Sequence, residues 1–200
     1  RNSLTVMQLS IIRNFAYFIL FIAGLCAACN SPVVPKPKAY FRIDFPAKEY
    51  TKFRSECKYS FDIPVYGQIS QSAVSTAEKC WYDIRFNAFN GTIYLTYKPL
   101  DSDLSSYVED IRKIVYKHII KADDIIETPI SVPDKRVYGV LYDIKGNTAS
   151  SVNFYITDST SGFLSGALYF NVQPNKDSLA PAIAFFREDI LHLINSFEWD

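Results

Sequence analysis

The strongest constraint on the fold is a hairpin pattern in the middle of the chain. Apolar residues alternate with polar ones on both sides of the dipeptide Asn90-Gly91. They stand at Tyr82, Ile84 and Phe86 before it and at Ile93, Leu95 and Tyr97 after it. An Asn-Gly pair between two alternating runs is typical of a β-hairpin. The chain is therefore expected to contain an antiparallel sheet.

Further strands are predicted from the same alternation. One covers residues 59–63, and three others, at 138–144, 151–157 and 164–172, are separated by turn-forming residues. The stretch 67–79 is predicted as a loop. Strands that follow one another through short turns favour antiparallel pairing.

Two amphipathic helices are predicted from apolar residues at three- and four-residue spacing. The first begins at Leu104 and places Tyr107, Val108, Ile111, Val115 and Ile119 on one side. The second runs from Leu179 to Phe197, with Asp177 or Ser178 as its N-cap and Pro181 in its first turn. The order of strands, helix, strands, helix predicts an α+β fold, an antiparallel sheet of about six strands with two helices packed on it.

The N-terminal region has the pattern of a lipoprotein signal peptide. An apolar run at residues 15–28 follows Arg13 and is shorter than the roughly 20 residues that span a bilayer. Small residues precede Cys29, so residues 1–28 are predicted to be removed and Cys29 to carry acyl chains such as palmitate. Met7 is a candidate start. Two alternatives remain open: lipid on Cys26, or an ordinary cleaved signal with Cys29 as a plain thiol.

Beyond the signal peptide the sequence predicts a proline-rich tether at 29–39 and a single α+β domain at 40–200. If lipid occupies Cys29, the two cysteines left are Cys57 and Cys80, which are expected to form a disulfide in an oxidising compartment.

Composition and motifs do not suggest an enzyme or a nucleic-acid-binding protein. Basic and acidic residues balance at 21 each. The two histidines, His118 and His192, fall inside predicted helices without metal-ligand spacing, and the chain has no G-x-S-x-G or phosphate-binding glycine motif. We expect no catalytic residue, no metal, no cofactor and no nucleic-acid partner.

Several segments together resemble one protein family. The run Pro-Lys-Pro-Lys-Ala-Tyr-Phe-Arg-Ile-Asp-Phe-Pro occupies 35–46, Cys57-Lys-Tyr-Ser-Phe and Cys80-Trp-Tyr-Asp-Ile lead into strands, and Phe197-Glu198-Trp199 lies near the C-terminus. With the signal-peptide pattern, they resemble the gliding-motility lipoproteins of the GldD family, although Ala39 stands where glycine is expected. The candidate partner-binding residues are Pro35, Lys36, Pro37, Tyr40, Phe41, Arg42, Asp44 and Pro46.

The resemblance implies a membrane-anchored, non-catalytic lipoprotein required for Bacteroidetes gliding and the associated type IX secretion, acting as a structural or assembly component. Its partners would be other envelope proteins of that apparatus and the membrane, with the domain facing the periplasm. The alternative is a periplasmic small-molecule-binding lipoprotein whose pocket is lined by Tyr82, Tyr97, Tyr138, Tyr142 and Tyr155. A third hypothesis, an envelope enzyme using Asp123 and Asp124, has little sequence support.

Overall fold

Strands dominate the described part of the chain. The computed structural model describes residues 43–73, 79–100 and 103–199, together with Asn14, Phe15 and Tyr17. The predicted signal peptide, Cys29 and the proline-rich tether lie outside the described residues, apart from those three positions. Among the described residues, no helix is long and apolar enough to cross a membrane.

Ten strands and two α-helices are present within those described ranges. The strands are β1 (Tyr50–Arg54), β2 (Tyr59–Pro64), β3 (Gln68–Gln71), β4 (Trp81–Phe86), β5 (Gly91–Pro99), β6 (Ala122–Val132), β7 (Val137–Gly146), β8 (Ser150–Thr157), β9 (Gly162–Phe170) and β10 (Glu198–Trp199). The helices are α1 (Leu104–Tyr116) and α2 (Lys176–Ser196).

The strands form two antiparallel sheets. The larger has seven strands in the order β3-β4-β5-β9-β8-β7-β6, and the smaller has three in the order β1-β2-β10. The predicted hairpin at Asn90-Gly91 joins β4 to β5, with a short 3-10 helix, Asn87–Phe89, at its tip. The α+β class with two helices and antiparallel sheets is therefore confirmed.

The two helices pack on opposite faces of the seven-stranded sheet. On β8, Phe154 belongs to the core that contains Phe186 of α2, whereas its neighbour Tyr155 belongs to the core that contains Val115 of α1. Successive side chains of a strand point to opposite faces, so α1 and α2 lie on different sides. Each face of the sheet thus has its own apolar cluster.

Two cross-links fix this arrangement. Arg187 of α2 donates from Nε and Nη2 to the two carboxylate oxygens of Asp143 on β7, at 2.7 and 2.8 Å. The predicted disulfide is present between Cys57 and Cys80, whose Cα atoms are 6.0 Å apart, a separation normal for a disulfide. It joins the turn between β1 and β2 to the residue before β4, and so connects the small sheet to the large one.

The strands absent from the prediction lie mainly at sheet edges. β3 falls in the stretch predicted as a loop, and β6 in the segment predicted as a connection. They are the two outer strands of the large sheet, and most of their residues are exposed or half-buried. An edge strand without a buried face has no apolar alternation to detect, and Pro129 in β6 is tolerated at an edge.

The predicted N-cap of α2 is wrong. Its N-cap is Asn175, whose side chain accepts a hydrogen bond from the Ser178 amide at 3.1 Å, and not Asp177 or Ser178. The helix consequently begins at Lys176, and Pro181 lies in the second turn instead of the first. Asparagine caps a helix as well as aspartate or serine, so residue type does not distinguish Asn175 from the two predicted caps that closely follow it.

Candidate functional site

The segment that follows the predicted contact residues is docked on the domain. We call residues 43–49 the arm; it leads into β1. Phe45 stacks on Phe185 of α2, at a ring-centroid distance of 4.3 Å, and on Phe89 of the β4–β5 hairpin, at 5.5 Å; these two rings are 6.4 Å from each other, so the three form one cluster. Such offset aromatic contacts add to the apolar area that each ring buries. The arm is thereby held against α2 before the first strand begins.

A buried carboxylate provides the second attachment. Asp189 of α2 is 2% exposed, and its Oδ1 accepts hydrogen bonds from Lys48 Nζ at 2.7 Å and Tyr50 Oη at 2.9 Å. Tyr66 Oη lies 2.8 Å from both carboxylate oxygens. We call Lys48, Tyr50, Tyr66 and Asp189 the Asp189 cluster. A carboxylate buried this deeply is stable only with such partners, so the cluster depends on the arm.

Lys48 makes further contacts that fix its ammonium group. Nζ donates to the backbone carbonyl of Phe185 at 2.6 Å and lies 3.4 Å from the centroid of the Phe185 ring. It therefore meets a carboxylate, a carbonyl and a π face together. The one lysine side chain joins the arm to two consecutive turns of α2.

The tyrosines of the cluster act as hydrogen-bond donors. Burial, together with the hydrogen bond to the nearby Asp189 carboxylate, raises the pKa of Tyr50 and of Tyr66 well above the ordinary value. Both hydroxyls keep their protons throughout the physiological pH range. The Tyr50 ring also stacks on His192 at a centroid distance of 3.6 Å, and His192 Nε2 lies 3.2 Å from Asp62 Oδ2 of β2. This continues the docking along α2.

The predicted partner-binding residues fall mostly outside this site. Pro35, Lys36, Pro37, Tyr40, Phe41 and Arg42 lie outside the described residues, as does the predicted lipidation site Cys29. Of the other two, Asp44 is exposed and Pro46 is half-buried. Phe45, between them, packs inward, so the last part of the predicted contact segment is used for attachment to the protein's own domain.

The Asp189 cluster was not found by sequence reasoning. Its donors are 123, 139 and 141 residues from Asp189 along the chain. No spacing motif links groups so far apart. The sequence does show aromatic and charged residues alternating through 40–46, but this pattern does not indicate which part of the chain they contact.

The predicted tyrosine pocket is wrong. Tyr82 and Tyr97 belong to the core shared with α2, Tyr142 and Tyr155 to the core under α1, and Tyr138 is 36% exposed. The five side chains are thus divided between the two faces of the sheet and its surface.

The third hypothesis placed Asp123 in an enzyme site. In the structure its carboxylate forms an ion pair with Lys176 Nζ at 2.6 Å.

The fold and the docked arm together define an α+β domain whose N-terminal arm packs against its C-terminal helix. The chain belongs to the family described as gliding motility lipoprotein GldD, whose model matches residues 30–199. That family is one of lipoproteins, which are anchored to a membrane of the cell envelope.

Two other comparisons accompany the family match. No curated protein matches the chain. Among solved structures, the solution structure of cyanobacterial PsbP (CyanoP) from Synechocystis sp. PCC 6803 is similar, with a TM-score of 0.48 and 10% identity, covering 84% of this chain and 100% of that one. This likeness is too distant to support an argument about function.

Proposed function

We propose that this protein is a membrane-anchored, non-catalytic component of the gliding apparatus and of the associated type IX secretion machinery. In this proposal Cys29 carries the lipid, the domain faces the periplasm, and the protein serves a structural or assembly role through contacts with other envelope proteins. More than one acyl chain on Cys29 would give stable attachment, since each buried methylene contributes about 0.8 kcal/mol.

The docking of the arm is the observation that carries the proposal beyond family membership. Phe45 and Lys48 attach the chain to α2 immediately after the segment that leads from Cys29. Because the arm is docked, the chain enters the domain at one defined place, beside α2 and the β4–β5 hairpin. In this proposal a lipid on Cys29 holds the domain to the membrane through that one point of entry.

Residues 35–42 would remain as the contact segment between lipid and domain. They contain prolines, two lysines and the aromatic pair Tyr40 and Phe41. Proline-rich segments lose little entropy on binding because their backbone is already restricted. We propose that a neighbouring envelope protein of the apparatus binds this segment close to the membrane.

The experiment is deletion of the gene, with colony spreading and secreted proteins measured in the same strain. Wild-type protein should restore both activities. A variant with Tyr40→Ser and Phe41→Ser should accumulate normally and remain in the membrane fraction, yet restore neither. A matched change at two exposed apolar positions of the domain, Tyr138→Ser with Val172→Ser, should restore both.

Unimpaired spreading and secretion in the deletion strain would overturn the proposed function. Full restoration by the Tyr40→Ser, Phe41→Ser variant would overturn the contact segment while leaving the anchored role in place.

A further inference from the structure

A cleft lies between α1 and the seven-stranded sheet. Its volume is about 430 Å³, within the range of small-molecule sites. The sheet side is lined by Trp81, Thr96, Lys98, Phe163 and Ser165, and the helix side includes Tyr107, Ile111, Ile114 and Lys117. We call this space the α1 cleft. It lies on the face of the sheet opposite α2 and the docked arm.

Strand register explains the floor of the cleft. Trp81 on β4 pairs with Thr96 on β5, which pairs with Ser165 on β9, so the three form one row across the sheet. Two residues further along, Lys98 pairs with Phe163 on the same face. The floor therefore combines aromatic rings with two hydroxyl groups. The indole N–H of Trp81 donates to the carbonyl of Tyr97 at 3.1 Å, so the polar atom of this ring is already satisfied.

The charged side chains of the cleft are mainly basic. Lys98, Lys113 and Lys117 line it with one acidic residue, Asp110, whose carboxylate lies 3.8 Å from Lys113 Nζ. Lys98 Nζ lies 5.4 Å from the centroid of the Tyr107 ring, over the cleft wall. The excess of positive charge beside an apolar floor complements an acidic group attached to an apolar body.

The cleft also exposes apolar surface that a ligand would cover. Ile114 is 46% exposed although it stands on the cleft side of α1. A smaller adjoining cavity of about 200 Å³ shares Ile111 and Ile114 and extends the groove toward Tyr94 and Tyr169. The two tyrosine rings meet edge to face at 5.7 Å. An elongated or flat apolar group therefore finds a continuous surface.

Binding here would not disturb the docked arm. The arm contacts Phe89 beyond the last residue of β4, whereas the cleft contacts Trp81, its first residue. Five residues of strand separate these ends by about 17 Å. The two sites also lie on opposite faces, so the arm can stay attached while the cleft is occupied.

From this geometry we propose that the α1 cleft binds a small anionic ligand, a carboxylate on a flat apolar body. Lys98, Lys113 and Lys117 receive the carboxylate, Trp81, Tyr107 and Phe163 pack against the apolar body, and Thr96 and Ser165 are available for hydrogen bonds. This inference does not rest on the proposed role in motility.

The test uses the full-length chain in phosphatidylcholine nanodiscs, with empty nanodiscs as the background. The probe is 6-fluoro-2-naphthoate, whose ¹⁹F signal broadens on binding, and the charge control is the isosteric 6-fluoro-2-naphthylmethylammonium. We expect saturable, single-site binding of the carboxylate, no saturable binding of the ammonium compound, and weaker binding at high salt.

Matched variants locate the site. Lys117→Glu should weaken binding by about tenfold, because it replaces an attraction with a repulsion, whereas Lys145→Glu, an exposed residue of β7 outside the cleft, should leave it unchanged. Ile114→Trp should block binding by filling the cleft, whereas Ile120→Trp, at a position 89% exposed and outside the lining, should not. All four changes are at exposed positions, so folding should be preserved.

Absence of saturable carboxylate binding would overturn the proposal. Equal losses of affinity for the carboxylate in Lys117→Glu and Lys145→Glu would also overturn it, because they would indicate a general effect of charge. Binding of the ammonium compound as tight as that of the carboxylate would overturn it as well.

Discussion

Lys48 Nζ lies 2.7 Å from Oδ1 of Asp189, which joins the arm to a helix 141 residues further along the chain. The carboxylate side chain is 1% exposed and the lysine side chain 25% exposed. The contact is therefore largely shielded from water, unlike the surface ion pairs that contribute little to stability. It links the arm directly to the buried side of α2.

Removing the lysine should destabilise the domain measurably. Lys48→Met removes the cationic partner of the buried Asp189 carboxylate, and we expect a loss of about 2 kcal/mol in the free energy of unfolding. Urea denaturation followed by circular dichroism checks this value. The matched control, Lys145→Met, removes an exposed lysine and should change stability by less than about 0.5 kcal/mol. Equal stability of the two variants would contradict the importance of the Asp189 cluster.

The disulfide should be a major stabilising element. Cys57 and Cys80 are separated by 23 positions, and closing a loop of this length is worth about 3 kcal/mol in the chain-entropy model. Dithiothreitol should lower the melting temperature of the wild-type protein. It should not change the melting temperature of a Cys57→Ser, Cys80→Ser variant, which should already equal that of the reduced wild-type protein. A wild-type melting temperature that does not respond to complete reduction, confirmed by thiol counting, would refute the prediction.

The arginine that links α2 to β7 should not tolerate replacement by lysine. Arg187 approaches Asp143 with two parallel hydrogen bonds, and the Asp143 carboxylate raises the pKa of the guanidinium further. Lysine keeps the charge but cannot make both bonds, so Arg187→Lys should cost about 1 kcal/mol in unfolding free energy. Lys58→Arg, a change of similar chemistry outside this contact, should be neutral in the same denaturation assay.

A turn aspartate makes the stability depend on pH. Burial by itself would raise the pKa of Asp158, but hydrogen bonds from Ser161 and from the amides of Thr160, Ser161 and Gly162 lower the net pKa well below the usual 3.8. A group with a lowered folded-state pKa stabilises the protein above its unfolded pKa. That contribution is lost as the pH falls below about 4 toward the folded value.

Asp158→Asn should therefore lose about 1–2 kcal/mol of unfolding free energy at pH 7 and progressively less below pH 4. Urea denaturation at pH 7 and at pH 3, for the variant and the wild type, provides the comparison. If the variant and the wild type differ in unfolding free energy as much at pH 3 as at pH 7, the lowered pKa of Asp158 does not explain the difference.

The strands that the sequence predicted have at least one buried face. β4, β5, β8 and β9 lie inside the large sheet, where buried and polar positions alternate or the whole strand is buried. The outer strands β3 and β6 gave no such pattern because solvent reaches most of their side chains. The disulfide was predictable because, after Cys29, only two cysteines remain.

The candidate sites were harder to predict because their residues are far apart along the sequence. Phe45, Tyr50 and Asp189 come together only when α2 packs beside β1 and β2, and nothing in the local sequence of α2 marks Asp189 among its acidic residues. The α1 cleft likewise depends on strand register, since Trp81 and Ser165 share a row only through the intervening Thr96.

The central claim is that a lipid-anchored domain acts in motility, and the most direct measurement is colony spreading by the deletion strain carrying Cys29→Ala. Immunoblots must first show that this variant reaches the wild-type protein level. We predict that spreading stays absent with Cys29→Ala and returns with the wild-type protein. Full spreading with Cys29→Ala, at equal level and with the protein released from the membrane fraction, would contradict the account.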